Sequence, residues 1–222
     1  MNASTQERIL RSAESLFAEK GFAQMTLREV TERAGVNLAA VNYHFGSKEG
    51  LVTEIFRRRI EPINDRRIGL LEAALEESGG APLPLERLYE VMLMPLAEAL
   101  MPEGHFDELF LGIITQSLVE PSEFLQQAHH KFVKEIAERF GMELRRSMEI
   151  PGLTEGEMAW RMYFSLSTIL GALVQYKRIG TCFPMIPDAT DVKGFTRHLI
   201  RFICGGMQTE PERVEGGKEA CG

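Results

Sequence analysis

The sequence predicts an all-α protein of about nine helices, with three short helices at the N-terminus and a larger helical body behind them. Three observations carry that prediction. Apolar residues recur at helical spacing along nearly the whole chain. Gly, Pro and N-cap residues punctuate the pattern at intervals of one helix. No segment couples strand-like alternation to a hairpin turn. The chain has 222 residues, 44% apolar and 26% charged. That balance excludes a mainly disordered or collagen-like polymer and leaves enough length to bury a core without staples.

Each element follows from local chemistry. Ile9, Ala13, Leu16 and Phe17 share one helical face, and Gly21 is placed to end that helix. Thr26 with Glu29 three residues on is a capping-box pattern, which starts a short helix through Val30 and Ala34. Gly35 breaks it, and Asn37 is the N-cap expected for a helix from Leu38 to Phe45. Gly46 and Ser47 break the chain again, and Ser47 caps a longer helix from Lys48. Pro62 is expected to kink or restart that helix, because it removes a backbone donor. Beyond a Gly- and Pro-rich loop at 79–84, helical patterns run over about 85–100, 105–119, 122–149, 154–179 and 190–206. The segment 181–186 reads as a loop, and the polar, Gly-rich stretch 208–222 as an unstructured tail.

Charge is unevenly shared. The total is −7, yet residues 1–59 hold nine Lys and Arg against seven Asp and Glu. The rest of the chain holds 16 against 25, so a mildly basic head precedes an acidic body. The three cysteines, Cys182, Cys204 and Cys221, stand in unrelated contexts, which predicts a reduced compartment rather than a disulfide framework. The N-terminus carries no apolar signal region, and no apolar run reaches the length of a spanning helix. The expected location is therefore cytoplasmic, with no membrane partner.

Three short helices with a tight Gly-containing turn between the second and third match a helix-turn-helix. Leu27, Val30, Ala34, Val41 and Phe45 supply its small core. The third helix is left with Asn37, Ala39, Ala40, Asn42, Tyr43 and His44 outward. Small residues there let a backbone approach base edges, Ala can meet a thymine methyl, and Asn can pair with adenine.

The segments Thr26-Leu27-Arg28-Glu29-Val30, Ala34-Gly35-Val36-Asn37 and Asn42-Tyr43-His44-Phe45-Gly46-Ser47-Lys48-Glu49-Gly50-Leu51 closely resemble the DNA-binding signature of TetR-family transcriptional regulators. Within that family, the stretch Asn37 to Lys48 is similar to the fatty-acid-responsive repressor branch, as are Phe110 to Ser117 and Trp160 to Ile179. The resemblance implies a DNA-binding domain over 1–50 and an effector-binding and dimerisation domain over 51–207. It implies that Thr26 holds a phosphate at a helix N-terminus, a role the helix dipole also favours. Asn37, Ala39, Ala40 and Asn42 would face bases, Tyr43 and His44 would reach phosphates or bases at the groove edge, and Lys48 would clamp a phosphate. Arg28 is a further candidate for a backbone or base contact. Many family members carry Tyr at the position of Asn42, so the aromatic-His pair is shifted by one here.

The implied partners are a near-palindromic double-stranded DNA operator, a second copy of the chain, and a small apolar or amphipathic effector such as a fatty acid or acyl-CoA. The most apolar segments, 154–179 and 190–206, are the expected homodimer interface. The first is apolar nearly all round, which predicts burial on several sides. Candidate effector-pocket residues are Leu88, Met92, Phe106, Phe110, Ile114, Phe132, Phe164 and Ile169.

Competing readings are weaker. Arg57, Arg58 and Arg59 fan around a helix, as a solvated surface would. His129 and His130 are adjacent, a spacing unsuited to shared metal ligation on a helix. The chain has no G-x-S-x-G, H-E-x-x-H, C-x-x-C, G-x-G-x-x-G or G-x-x-x-x-G-K-[ST] motif. No catalytic residue, metal or cofactor is therefore expected; the alternative is a helical-bundle enzyme or small-molecule carrier.

Overall fold

In the computed structural model of the chain, residues 4–102, 106–148, 150–176, 179–186 and 191–211 are described. Among them lie ten α-helices and no strand. The first four are α1 (Thr5–Gln24), α2 (Leu27–Ala34), α3 (Leu38–Phe45) and α4 (Lys48–Glu77). Then come α5 (Leu85–Ala99), α6 (Glu108–Val119) and α7 (Glu123–Ser147). The last three are α8 (Glu155–Gln175), α9 (Ile179–Cys182) and α10 (Val192–Met207). None is long and apolar enough to cross a membrane.

The expected caps form. Thr26 accepts from the Glu29 N–H while Glu29 accepts from the Thr26 N–H, a complete capping box. Asn37 accepts from the Ala40 N–H at 2.9 Å and Ser47 from the Gly50 N–H at 3.1 Å. Gly35 is left-handed (φ 63°, ψ 42°). Val36 N–H donates to Thr31 O and Gly35 N–H to Glu32 O, the paired bonds of a Schellman turn. The angle between α2 and α3 is thus set by a conformation that glycine adopts without steric cost.

Three expectations are corrected. Of the kink or restart expected at Pro62, the restart does not occur: α4 is one helix of 30 residues with Pro62 inside it. Buried Ile63 and Asn64 anchor the turn that follows, and their packing outweighs the one ladder bond lost. The segment expected as a loop at 181–186 begins inside the single turn α9, closed by Phe183 N–H donating to Ile179 O. The helix expected over 154–179 ends at Gln175. Of the expected tail, Gln208 caps α10, and 212–222 lie outside the described residues.

One core unites α1 to α4: Ile9, Leu16, Phe17, Val30, Val41, Leu51 and Ile55 are fully or almost fully buried in it. Ile113 of α6 and Leu125 and Ala128 of α7 belong to the same cluster. The N-terminal module therefore shares its interior with the helical body. Its partition at residue 50 falls inside the first turn of α4. A second core joins α5, α7, α8 and α10 around Leu88, Tyr89, Leu144, Met158 and Ile200.

The arginine run is not a uniformly solvated surface. Arg58 pairs with Glu7 at 2.8 Å and Glu54 at 3.0 Å. Arg59 pairs with Glu14 at 2.7 Å and with Asp107, the N-cap of α6, at 2.9 Å. Because α4 packs against α1 and α6, Arg58 and Arg59 are drawn into the junction, and Arg57 alone keeps the open position of the three.

Candidate nucleic-acid interface and ligand cavity

The end of the N-terminal module is built as a platform. Thr26, Arg28, Asn37, Ala39, Asn42, Tyr43 and His44 are exposed, and Ala40 and Lys48 half-buried. Tyr43 is 85% exposed, too open for a packing role, and its ring meets only that of His44 edge-on. The side-chain oxygens of Thr26 and Asn37 are engaged as helix caps, which fixes them at the N-termini of α2 and α3. Lys48 Nζ stands 4.3 Å from the ring centroid of Phe22, which in turn packs on Phe124 of α7. The nine predicted DNA-facing residues lie on α2, α3, the N-caps of these two helices and the first residue of α4, and α3 contacts both α2 and α4.

Behind this module a cavity of about 460 Å³ opens among α4, α5, α6, α7 and α8. Of the eight predicted pocket residues, Met92, Ile114, Phe132 and Ile169 line it. The other four lie elsewhere. Leu88 is fully buried in the second core, and Phe110 is buried beside the Arg59 guanidinium. Phe106 stacks on Tyr176. Phe164 faces outward at 58% exposure, stacked on Trp160 at 5.5 Å. The expectation of burial on several sides of 154–179 is not met within one chain: of α8, Met158 and Ser165 are the buried residues.

Polar groups at the cavity wall are few. The Tyr89 hydroxyl and Ser165 hydroxyl share a buried hydrogen bond of 2.6 Å, and burial pushes the phenol up to about 12. Burial, with the neighbouring His130 second, holds the His129 imidazole below its usual range. Arg67 also lines the cavity, and sequence reasoning missed it. Its Nε donates to Met92 O at 2.7 Å and its Nη1 to Asn64 Oδ1 at 3.0 Å. The Asn64 amide in turn donates to Phe132 O at 2.6 Å. Burial lowers the Arg67 guanidinium to about 10. A usable signal was present: Phe56, Ile60, Ile63 and Arg67 fall at i, i+4, i+7 and i+11, one stripe of α4, and all four line the cavity.

No group of three or more His, Cys, Asp or Glu among the described residues is arranged to hold a metal ion. Cys182 is exposed and Cys204 buried, and burial raises the Cys204 thiol to about 11.

The carboxylate of Glu120, the C-cap residue of α6, accepts from the main-chain N–H groups of Phe22 and Ala23, each at 2.6 Å. It thereby ties α6, which lines the cavity through Ile113, Ile114, Ser117 and Leu118, to the junction of α1 and α2. Gly112 lets α6 approach α1: a Cβ there would stand 2.9 Å from the Ala18 Cβ.

A capped second helix, a glycine-hinged and exposed third helix, and a helical body containing an apolar cavity define a helix-turn-helix transcriptional regulator. Comparison with known proteins agrees. Residues 9–55 match the model for bacterial regulatory proteins of the tetR family, and residues 90–206 the tetracyclin repressor-like C-terminal domain. The chain belongs to the TetR family. It is 27% identical over 202 residues to the HTH-type transcriptional regulator AcrR of Shigella flexneri, covering 90% of this chain and 87% of that one. It is 30% identical over 86 residues to the HTH-type transcriptional repressor KstR2 of Mycolicibacterium smegmatis. That match takes in 39% of this chain and 38% of KstR2, and a match to the probable regulator YttP of Bacillus subtilis spans 27% of that protein. Among solved structures, NalD, the secondary repressor of the MexAB-OprM multidrug efflux pump in Pseudomonas aeruginosa, superposes with a TM-score of 0.61 at 26% identity, covering 91% of this chain and 94% of that one. The fatty acid degradation regulator FadR of Bacillus halodurans shares the fold at the same TM-score of 0.61, with 15% identity over 95% of this chain and 100% of that one.

Proposed function

We propose that the chain acts as a cytoplasmic homodimeric repressor that binds a near-palindromic operator and responds to a small apolar or amphipathic effector held in the cavity. The observation that carries this reading is α4. Its first residue, Lys48, belongs to the exposed platform, and its Phe56–Ile60–Ile63–Arg67 stripe is a wall of the cavity. A ligand that displaces this stripe displaces the platform as well.

On this reading, Asn37, Ala39, Ala40 and Asn42 face base edges, with Tyr43 and His44 at the groove rim. Thr26, Arg28 and Lys48 meet phosphate, where a helix N-terminus and a cation are favoured. Two copies joined through α8 and α10 present two such platforms to successive major grooves. The outward aromatic row of Trp160, Tyr163 and Phe164 and the exposed Phe202 of α10 support that interface, because a monomer leaves them in water. The sequence resemblance favours a fatty acid or acyl thioester as effector.

The test is selection of bound fragments from the source genome by the full-length protein at low salt. A recurring inverted repeat is the expected outcome, and its loss with Tyr43→Ala ties it to α3. Recovery of random fragments alone would contradict the reading.

A further inference from the structure

Arg67 stands in an otherwise apolar stripe, where a leucine or methionine would complete the wall left by Phe56, Ile60 and Ile63. It has no carboxylate partner among the described residues. Its two hydrogen bonds, to Met92 O and Asn64 Oδ1, go to neutral acceptors. Arg67 is half-buried in the cavity wall, where a cation drawn out of water normally finds an ion pair. Among the described residues, these two bonds engage two of the five guanidinium hydrogens, and the others stay free to meet a ligand in the cavity. The two bonds also fix the plane of the fork. Asn64 is held by Phe132 O of α7, and the Met92 carbonyl belongs to α5. Arg67 is thus pinned to three helices at the cavity wall with donor capacity to spare. The remainder of the wall is largely aliphatic and aromatic.

We infer that Arg67 anchors the carboxylate of the effector, so that the cavity takes a monocarboxylic acid with an apolar body. A guanidinium recognises a planar carboxylate through two parallel hydrogen bonds, and a low-dielectric wall strengthens that pair. The apolar body packs against Ile114, Phe132 and Ile169. The acid form is selected over its ester or thioester, which offer the fork no charge. This inference rests on the proposal that the cavity is the effector site.

The experiment is calorimetric titration of the full-length protein with dodecanoic acid, methyl dodecanoate and dodecanoyl-CoA. Wild type is expected to bind the acid roughly 10- to 100-fold more tightly than the methyl ester, the range for hydrogen bonds to a charged group. Arg67→Gln keeps a donor for the neighbouring acceptors and removes the charge. It is expected to bring the acid down to the affinity of the ester and leave the ester unchanged, with thermal stability retained. Arg67→Lys keeps charge without the fork and is expected to recover part of the preference. Equal binding of acid and ester by wild type overturns the inference while sparing the effector site. So does an acid preference that survives in Arg67→Gln, or thioester binding tighter than acid binding. Failure of all three ligands to bind a protein that still holds DNA overturns the inference and the effector site together.

Discussion

The Glu120 carboxylate accepts the main-chain N–H of Phe22 at 2.6 Å, across 98 residues of sequence, and its second oxygen takes the N–H of Ala23. These donors follow Gly21, whose backbone (φ 79°, ψ 176°) breaks the helical path of α1 and is accessible to glycine almost alone. A Cβ at Gly21 would also collide with the Glu120 carboxylate. Gly21→Ala is therefore expected to lose about 1–3 kcal/mol, the usual cost of such backbone strain. Glu120→Ala is expected to lose about 1–3 kcal/mol by leaving a part-buried donor unpaired. Urea denaturation midpoints measure both, and an unchanged midpoint for Gly21→Ala would show that the break in α1 is not held by this contact.

Arg59 joins three elements through Glu14 of α1 and Asp107 at the start of α6. Its side chain is 28% exposed and that of Glu14 11%, so solvent screens the pair only weakly. Arg59→Met strands two carboxylates and is expected to cost about 3 kcal/mol. Adding Glu14→Met removes one of the stranded charges and is expected to restore much of the loss. Strict additivity of the two losses in denaturant melts would contradict the pairing.

Acid should loosen the N-terminal module first. Hydrogen bonds from Arg58 and then Arg11 hold the Glu7 carboxyl below its usual range, and those from Arg57 and, more weakly, Arg58 do the same for Glu54. Arg33, with Ser15 second, lowers Glu19 to about 2. Depressed folded values mean that this stabilisation is complete above the unfolded carboxyl range near 4.5 and fades as pH falls toward 2. The expected result is a melting temperature that falls on going from pH 6 to pH 3, more shallowly in Arg33→Gln. A melting temperature that rises across that interval would refute the sign.

On the proposed reading, the exposed residues of α2, α3 and the start of α4 divide into those that position the DNA and those that read it. Lys48→Ala is expected to weaken binding on all sequences and to reduce the slope of log affinity against log salt by about 1. Substitutions at Ala40 or Asn42 are expected to change the preferred sequence more than the overall affinity. Anisotropy titrations at several salt concentrations distinguish the two, and an unaltered slope for Lys48→Ala would remove its phosphate role.

Much of this platform was legible from the chain because its determinants are local. Thr26, Asn37 and Ser47 cap the helices that immediately follow them, and Gly35 sets a turn within four residues of either helix. The cavity was only half legible. Periodicity identifies an apolar face, yet Met92 and Leu88 lie one turn apart on α5, and which meets the cavity depends on how α4 and α7 pack there. Phe164 belongs to an outward aromatic row that looks in sequence like core. Arg59 reads in sequence as one of three arginines fanned around a helix, since its carboxylate partners lie 45 and 48 residues away, and the Met92 carbonyl that Arg67 meets lies 25 residues away. The overall charge of −7 proved a poor guide to the basic head it averages over.

The proposed regulation requires coupling between the cavity and the DNA-facing helices through α4 and α6. The most direct test is the dissociation constant for the selected operator, measured by anisotropy with and without saturating ligand in the cavity. A shift of at least about tenfold is expected, with the operator shifting ligand affinity by the same factor, as linkage requires. An operator affinity that stays constant while calorimetry shows the cavity filled would contradict it.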